Sequence, residues 1–368
     1  MNLLQVDRNL LLMPLQAVGG VVERRHTLPI LSNVLLEVGG GKVSLTATDL
    51  EIQVAAEADA SEAANSQATT VSARKLQDIL RSLPDLTTVS LELQDKRLQV
   101  RAGRSKFSLQ TLPAEDFPKI AAGNAPAAEA RMPQKELKRL LALVQYAMAQ
   151  QDIRYYLNGL LLSLQEDALA VVATDGHRLA LATHAVNLGA AKTDVILPRK
   201  AILELTKLLA DSDDPVTLRV SDNQATFAFG RVSFVTKLVD GKFPDYQKVI
   251  PTGYKKGFVC DRTVLQQALQ RAAILSNEKF RGVRWVLTAD SLRIVCTNSE
   301  HEEAEEELAI SYGGEALDVG FNVTYLLDVL GNVQAAQVEC ALGDSNSSML
   351  MTIPGNPDFK YVVMPMRI

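Results

Sequence analysis

Apolar residues return at i, i+3, i+4 and i+7 in several separated stretches: Leu76, Ile79, Leu80 and Leu83; Leu137, Leu140, Leu141 and Val144; Leu326, Val329, Leu330 and Val333. This spacing puts an apolar stripe on one face of a helix. Asp7, Ser72, Asp261 and Asn322 stand where a short polar side chain caps the first turn. Together these signals predict two helices in each third of the chain, starting near residues 7, 72, 133, 198, 261 and 322. Pro14 falls inside the first of them, where it removes a backbone donor and is expected to bend the helix. Between the helices lie short alternating runs such as "KVSLTATDLEIQV" and "ATFAFGRVSFVTKLV", broken by Asn, Asp and Gly. Alternation with turn residues between predicts strands and hairpins, so the class is α+β.

The pattern repeats. "LTATDLEIQV" (45–54) is echoed by "VVATDGHRLAL" (171–181), "SARKLQDIL" (72–80) by "PRKAILELT" (198–206), and "GRSKFSLQTLPAEDFPKI" (103–120) by "GRVSFVTKLVDGKFPDYQKV" (230–249). Asn33 to Asn158 is a step of 125, and Asp49 to Asp175 one of 126. A fainter third copy matches "RGVRWVL", "IVCTNSE" and "FNVTYLLDVL" to the second at a step of 123, from Gly159 to Gly282 and from Thr174 to Thr297. A constant step across separated patterns marks internal repetition. The joins fall in "AAGNAPAAEARM" and near "IPTGYKKG", and the expected domains are residues 1–122, 130–250 and 251–368.

Composition narrows the class. Hydrophobic residues make up 47% and charged ones 22%, and no apolar run approaches the ~20 residues a membrane helix needs. The first residues lack a basic stretch ahead of their apolar ones, so they read as structured chain and the expected location is cytoplasmic. Three widely spaced cysteines, without a CxxC, fit thiols in a reducing compartment. The net charge is −5, but it is sorted. Arg74, Lys75, Lys135, Lys138, Arg139, Arg199, Lys200, Lys207, Arg262 and Arg271 fall in predicted helices, and Arg24 and Arg25 follow the first; "HEEAEEEL" puts five Glu in eight residues. A basic helix layer on an acidic chain attracts phosphate locally.

The apparent reactive motifs weaken under the repeat. "TDGH" corresponds to "TDLE" and "TNSE", so Asp175 and His177 occupy slots held elsewhere by Asp49 and Glu51, and an Asp-Gly pair between hydrophobic runs is itself a turn signal. "HEEAE" lacks the second histidine of a zinc-protease helix, and no Walker loop, G-x-G-x-x-G or G-x-S-x-G is present. The chain reads as a binding or scaffolding protein with no catalytic residue, metal or cofactor. Two other readings stay open: a hydrolase or nuclease using Asp175 and His177, and a peptide-binding adaptor.

"HTLPILSN", "QDIRYYLNG", "VATDGHRLA", "KLVDGKFPDY", "RAAILSNEKFRGVR", "GFNVTYLLDVL" and "YVVMPMRI" resemble, in order and spacing, the bacterial DNA polymerase III β subunits, the replicative sliding clamps. The resemblance covers the whole chain. It implies three clamp domains per subunit, each with two helices and antiparallel sheets, and two subunits joined head to tail in a closed ring with helices lining the hole. It implies non-sequence-specific contacts to double-stranded DNA from Arg25, Arg74, Gln151, Tyr155 and Tyr156, with Arg199 and Lys200 at a helix start as further contacts. "VVERRH" departs from the glycine-rich loop of relatives, which leaves Arg24 as the alternative to Arg25.

The resemblance also implies a groove for short linear peptides of the replicative polymerase, the clamp loader, other polymerases and repair proteins. Its residues carry over to Leu157, Thr174, Gly176, His177, Arg178, Leu179, Pro244, Val249, Asn322, Tyr325, Val362, Met364, Pro365, Met366 and Arg367. Hydrophobic anchors are expected against Leu179, Val362 and Met364, with His177 and Arg178 as donors at the edge. Lys248 stands where relatives carry arginine and Ile368 where leucine is common. For the homodimer, Lys75, Arg104 and Lys106 complement Glu302, Glu303, Glu305 and Glu306, and the resemblance places Phe107, Leu109, Ile274 and Leu275 at the apolar centre.

Overall fold

The computed structural model describes residues 2–23, 27–60, 66–121, 123–186 and 192–368. Six α-helices stand among the described residues: α1 (Arg8–Gly19), α2 (Ala73–Ser82), α3 (Gln134–Val144), α4 (Arg199–Leu208), α5 (Arg262–Ala272) and α6 (Val323–Asn332). The caps explain the starts. Side-chain oxygens of Asp7, Ser72, Asp261 and Asn322 accept from the amides of Asn9, Lys75, Val264 and Thr324, satisfying donors that the first turn leaves orphaned. The expected stripes are buried in α3 and α6; in α2, Leu76 and Leu80 are buried but Ile79 only partly. α1 runs on through Pro14, which is buried with Leu11, Leu15 and Val18.

Among the described residues, six short 3-10 turns, at Pro29–Ser32, Ala114–Asp116, Gln145–Ala147, Tyr155–Leu157, Tyr246–Lys248 and Ala273–Leu275, add to these helices. They are too short to leave a periodic signature.

The chain divides into two compact units, Met1–Lys135 with Leu203–Leu238, and Glu136–Ile202 with Val239–Ile368. The first holds a twelve-stranded antiparallel sheet, the second an eight-stranded and a four-stranded one. Repeats and units divide the chain differently, because the middle repeat lends strands to both. Ala128–Pro133, Pro215–Val220, Gln224–Phe229 and Val232–Lys237 join the first unit's sheet, whereas Gly159–Leu164, Ala168–Thr174, Arg178–Ala185 and Thr193–Pro198 join the second's.

One pairing occurs in each unit by the same rule. In the first, Ile52–Asp59 pairs with Val232–Lys237 so that Ile52 faces Thr236. In the second, Arg178–Ala185 pairs with Asn356–Val363 so that Arg178 faces Val363. The second unit's four-stranded sheet centres on buried Trp285, whose ring meets Phe321 edge-on at 5.4 Å and Phe258 at 6.1 Å. Each such buried aromatic or aliphatic side chain contributes about 1.5–3 kcal/mol relative to exposure.

Several strands have an open edge among the described residues, and two of them carry charge of opposite sign. Ser105–Leu112 pairs fully with Arg97–Ala102 but meets Gln67–Ser72 only through Thr111 and Leu112. Glu303–Ala309 pairs only with Ser291–Thr297. An open edge presents unused backbone donors and acceptors to another chain.

Candidate peptide groove and nucleic-acid interface

"TDGH" is a hydrogen-bonded turn. The Asp175 carboxylate accepts from the amides of His177 (2.9 Å) and Arg178 (3.0 Å), and Thr174 Oγ1 accepts from Gly176 N (3.1 Å) while donating to Arg178 O (2.6 Å). The first repeat builds the same turn. Asp49 Oδ1 accepts from Glu51 and Ile52, Thr48 Oγ1 accepts from Leu50 N and donates to Ile52 O, and Leu50 has the left-handed φ of 78° where Gly176 has 89°. Asx and hydroxyl turns of this kind explain Asp and Thr without chemistry. A turn that serves one repeat without a histidine needs none for its fold, which leaves His177 exposed and available for contact.

The segment that follows Val363 is held against this turn. Met364 N donates to His177 O at 2.9 Å, and Met366 N to Gly320 O at 2.9 Å. Gly320 has no room for a side chain, because a Cβ there would sit 2.5 Å from Met366 O and 2.6 Å from the Ile368 side chain. Leu157, Leu179 and Val362 are buried. Leu179 and Val362 belong to an apolar cluster with Leu161, Val172 and Phe243, on which Tyr156, Tyr246 and Ile250 pack. Met364 and Val249 stay about half exposed, so apolar surface lies open above a buried floor. Pro244 is exposed beside Phe243, and Lys248 is paired with Asp245 at 2.8 Å.

Arg178 departs from the expected role of a rim donor. Its side chain is only 9% exposed. Nε donates to Asp175 Oδ2 (3.1 Å), Nη2 to Tyr146 O (2.7 Å) and Nη1 to Asp328, and the guanidinium lies 4.4 Å over the Tyr325 ring. Burial alone would lower its pKa, but Tyr361, Asp328 and Asp175 outweigh that and hold it above the ordinary value. Asn322 is likewise occupied as the cap of α6. Pro365 and Met366 are half-buried and Arg367 is exposed.

No periodic pattern marks Arg154, Asp152, Tyr146, Asp328 or Tyr361, yet they complete the site. Arg154 grips both carboxylate oxygens of Asp152, reaches Asp175 O at 3.3 Å and lies against Gly176. The Arg154 guanidinium holds the Asp152 carboxyl down at about 2. "DIR" beside "YY" was the one available signal, since Asp and Arg two residues apart suit a local pair.

The residues expected to meet nucleic acid are distributed over both units. Arg25 lies outside the described residues. In the first unit Arg74 is largely exposed, with Asp78 at 3.7 Å. In the second, Gln151 takes a left-handed φ of 56°, Tyr155 is 56% exposed, and its ring meets that of half-buried Tyr156 at 5.8 Å. Lys200 is exposed, but Arg199 is partly turned inward, donating to Met148 O at 3.2 Å; burial, then the Arg178 charge, lower its pKa.

Two arginines of the supposed basic layer are internal ties. Arg262 donates to Ala335 O and Leu330 O, and Arg271 grips both oxygens of Glu306. Glu306 is therefore already partnered within its own chain. Of the residues expected at the subunit contact, Ile274 is 78% exposed, Leu275 and Phe107 are half-buried, Leu109 is buried, and Lys75, Arg104, Lys106, Glu302, Glu303 and Glu305 are exposed.

A triplicated α+β chain with apolar surface open beside a structural turn has the construction of a sliding clamp. The chain belongs to the DNA polymerase III beta subunit family: its N-terminal, central and C-terminal domain descriptions match residues 1–121, 131–245 and 247–367. It is 49% identical over 364 residues to the beta sliding clamp of Pseudomonas putida, covering 99% of both chains. The crystal structure of the DNA polymerase III subunit beta from Pseudomonas aeruginosa superposes with a TM-score of 0.96 at 48% identity, with 100% of both chains covered. A second structure from that organism, bound to griselimycin, matches with the same TM-score and identity over 99% of each chain. The protein is a processivity subunit of a DNA polymerase and not an enzyme.

Proposed function

We propose that two copies of this chain join head to tail around duplex DNA and that the groove beside Asp175–His177 docks short linear peptides of the replicative polymerase, the clamp loader and repair proteins. The observation that carries the groove is the 364–368 segment, held by backbone bonds to His177 and Gly320 while Met364 keeps its side chain exposed. Apolar anchors of a partner would sit on Leu179, Val362 and Met364, with His177 at the edge. Sulfur-bearing and aliphatic walls adapt to several ligands, and griselimycin, held by a relative, is a further ligand for this groove.

Closure is supported by two open strand edges of opposite charge. Ser105–Leu112 carries Lys106 with Arg104 just before it, and Glu303–Ala309 carries Glu303, Glu305, Glu306 and Glu307. Unlike edges make a heterologous contact. Arg74, Gln151, Tyr155 and Tyr156 would then touch phosphates without reading bases, and Arg25 is the further contact proposed.

Deletion of residues 364–368 tests the reading. The truncated protein should remain a dimer and stay on circular but not linear DNA, while losing a polymerase-derived peptide and processive synthesis. Unchanged peptide affinity would place the groove elsewhere. Retention on linear DNA equal to that on circles would remove the enclosing dimer.

A further inference from the structure

We infer that Arg178 is a positioning residue that fixes the groove by tying α6 to the Asp175–His177 turn, and that Asp328 is its partner in this role. The inference rests on the groove reading above and replaces one part of it, the assignment of Arg178 as a donor to bound peptide.

The argument begins with what the guanidinium touches. Its three hydrogen bonds reach three separate elements: Asp175 in the turn, the Tyr146 carbonyl in the 3-10 turn after α3, and Asp328 in α6. One face of its plane is covered by Tyr325, also of α6, and the Tyr146 ring lies 5.8 Å away. Tyr361, from the strand that pairs with Arg178–Ala185, donates to Tyr325 O at 2.9 Å and pins the same helix a second time. A side chain so enclosed has little left to offer an incoming ligand.

What it holds is the groove itself. Asn322 and Tyr325 stand at the start of α6, and Thr174, Gly176 and His177 form the turn. Asp328 lies one helical turn further along α6 and outside the groove set, and its carboxylate reaches that set through Arg178. The planar fork matters. A lysine carries the charge and three donors, but at a single point: it cannot span acceptors on three separate elements or stack its plane on Tyr325.

The test uses the full-length protein with griselimycin as the probe, at a temperature where circular dichroism shows every variant folded. Asp328→Asn and Arg178→Lys should each weaken binding about tenfold, and the double variant should bind no worse than the weaker single one, because both break one tie. Asp328→Glu, which keeps the charge, should recover most of the affinity. In Asp328→Asn the amides of Gly176 and His177 should exchange hydrogen faster. If Asp328→Asn bound as the parent does while Arg178→Lys lost affinity, Arg178 would be a ligand contact and the inference would fall. A lowered melting temperature with affinity unchanged in both would also overturn it, leaving a role in stability alone. Failure of the parent protein to bind either griselimycin or a polymerase-derived peptide would remove the groove reading, and the inference with it.

Discussion

Leu50 and Gly176 take the same left-handed backbone at the same place in two copies of one turn, with φ of 78° and 89°. A side chain there costs about 1–2 kcal/mol. Gly176→Ala should therefore destabilise by about 1–2 kcal/mol, since the Arg154 guanidinium 3.0 Å from the new Cβ can move aside. Leu50→Gly should change stability by less than about 0.5 kcal/mol, because relief of strain is offset by the extra freedom of glycine in the unfolded chain. Urea midpoints of the two variants measure this contrast. Asp152 gives a second residue-scale test. Its pKa is depressed, so the stability it adds is complete above its ordinary value of 3.8 and fades as pH falls through about 2. The carboxyl carbon shift of Asp152 should titrate near 2; a midpoint near 3.8 would mean that the pair with Arg154 does not form in solution. The turn was legible in the sequence because Asp and Thr act on amides two to four residues away. The burial of Arg178 was not, because Asp328 is 150 residues distant.

Elements were legible where a local rule governs them. Capping side chains and apolar stripes set the helix starts to within a residue, whereas the 3-10 turns, one of which carries Tyr155 and Tyr156, have no period to read. Sequence charge also misled where tertiary pairing intervenes, as with Arg271 and Glu306. Along Glu303–Ala309, Glu303, Glu305 and Glu307 are exposed while Ala304, Glu306 and Leu308 are half-buried. Charge reversal of Glu303 and Glu305, together with Ile274→Ala and Leu275→Ala, should yield monomers in sedimentation at micromolar concentration. A dimer that survived all four changes would sink the proposed pairing with Ser105–Leu112. Arg271→Ala alone should leave the urea midpoint nearly unchanged, since the Arg271 side chain is mostly exposed and its charge is screened.

On the scale of the molecule, the triplication could be read from constant steps along the chain, but the sharing of the middle repeat between two sheets could not. That sharing depends on which strand finds an open edge, and edge pairing leaves no mark in local pattern. The eight-stranded sheet runs from Thr193–Pro198 through Arg178–Ala185, Asn356–Val363 and Met349–Ile353 to Lys256–Asp261. Removal of residues 356–368 should therefore leave two strand edges bare and give aggregated protein by light scattering, whereas removal of 364–368 alone should leave a soluble fold.

Asn356–Val363 lies at the middle of its sheet, although it is the last of the sheet's strands in chain order. Translation thus delivers the central plank after both halves of the sheet that it joins. Until the ribosome has passed residue 363, Leu179 has no Val362 opposite it, and the apolar cluster beneath the proposed groove is incomplete. Under the proposed groove reading, recruitment of a polymerase would be confined to protomers whose synthesis has run past that point, and a prematurely released product would be silent rather than inhibitory.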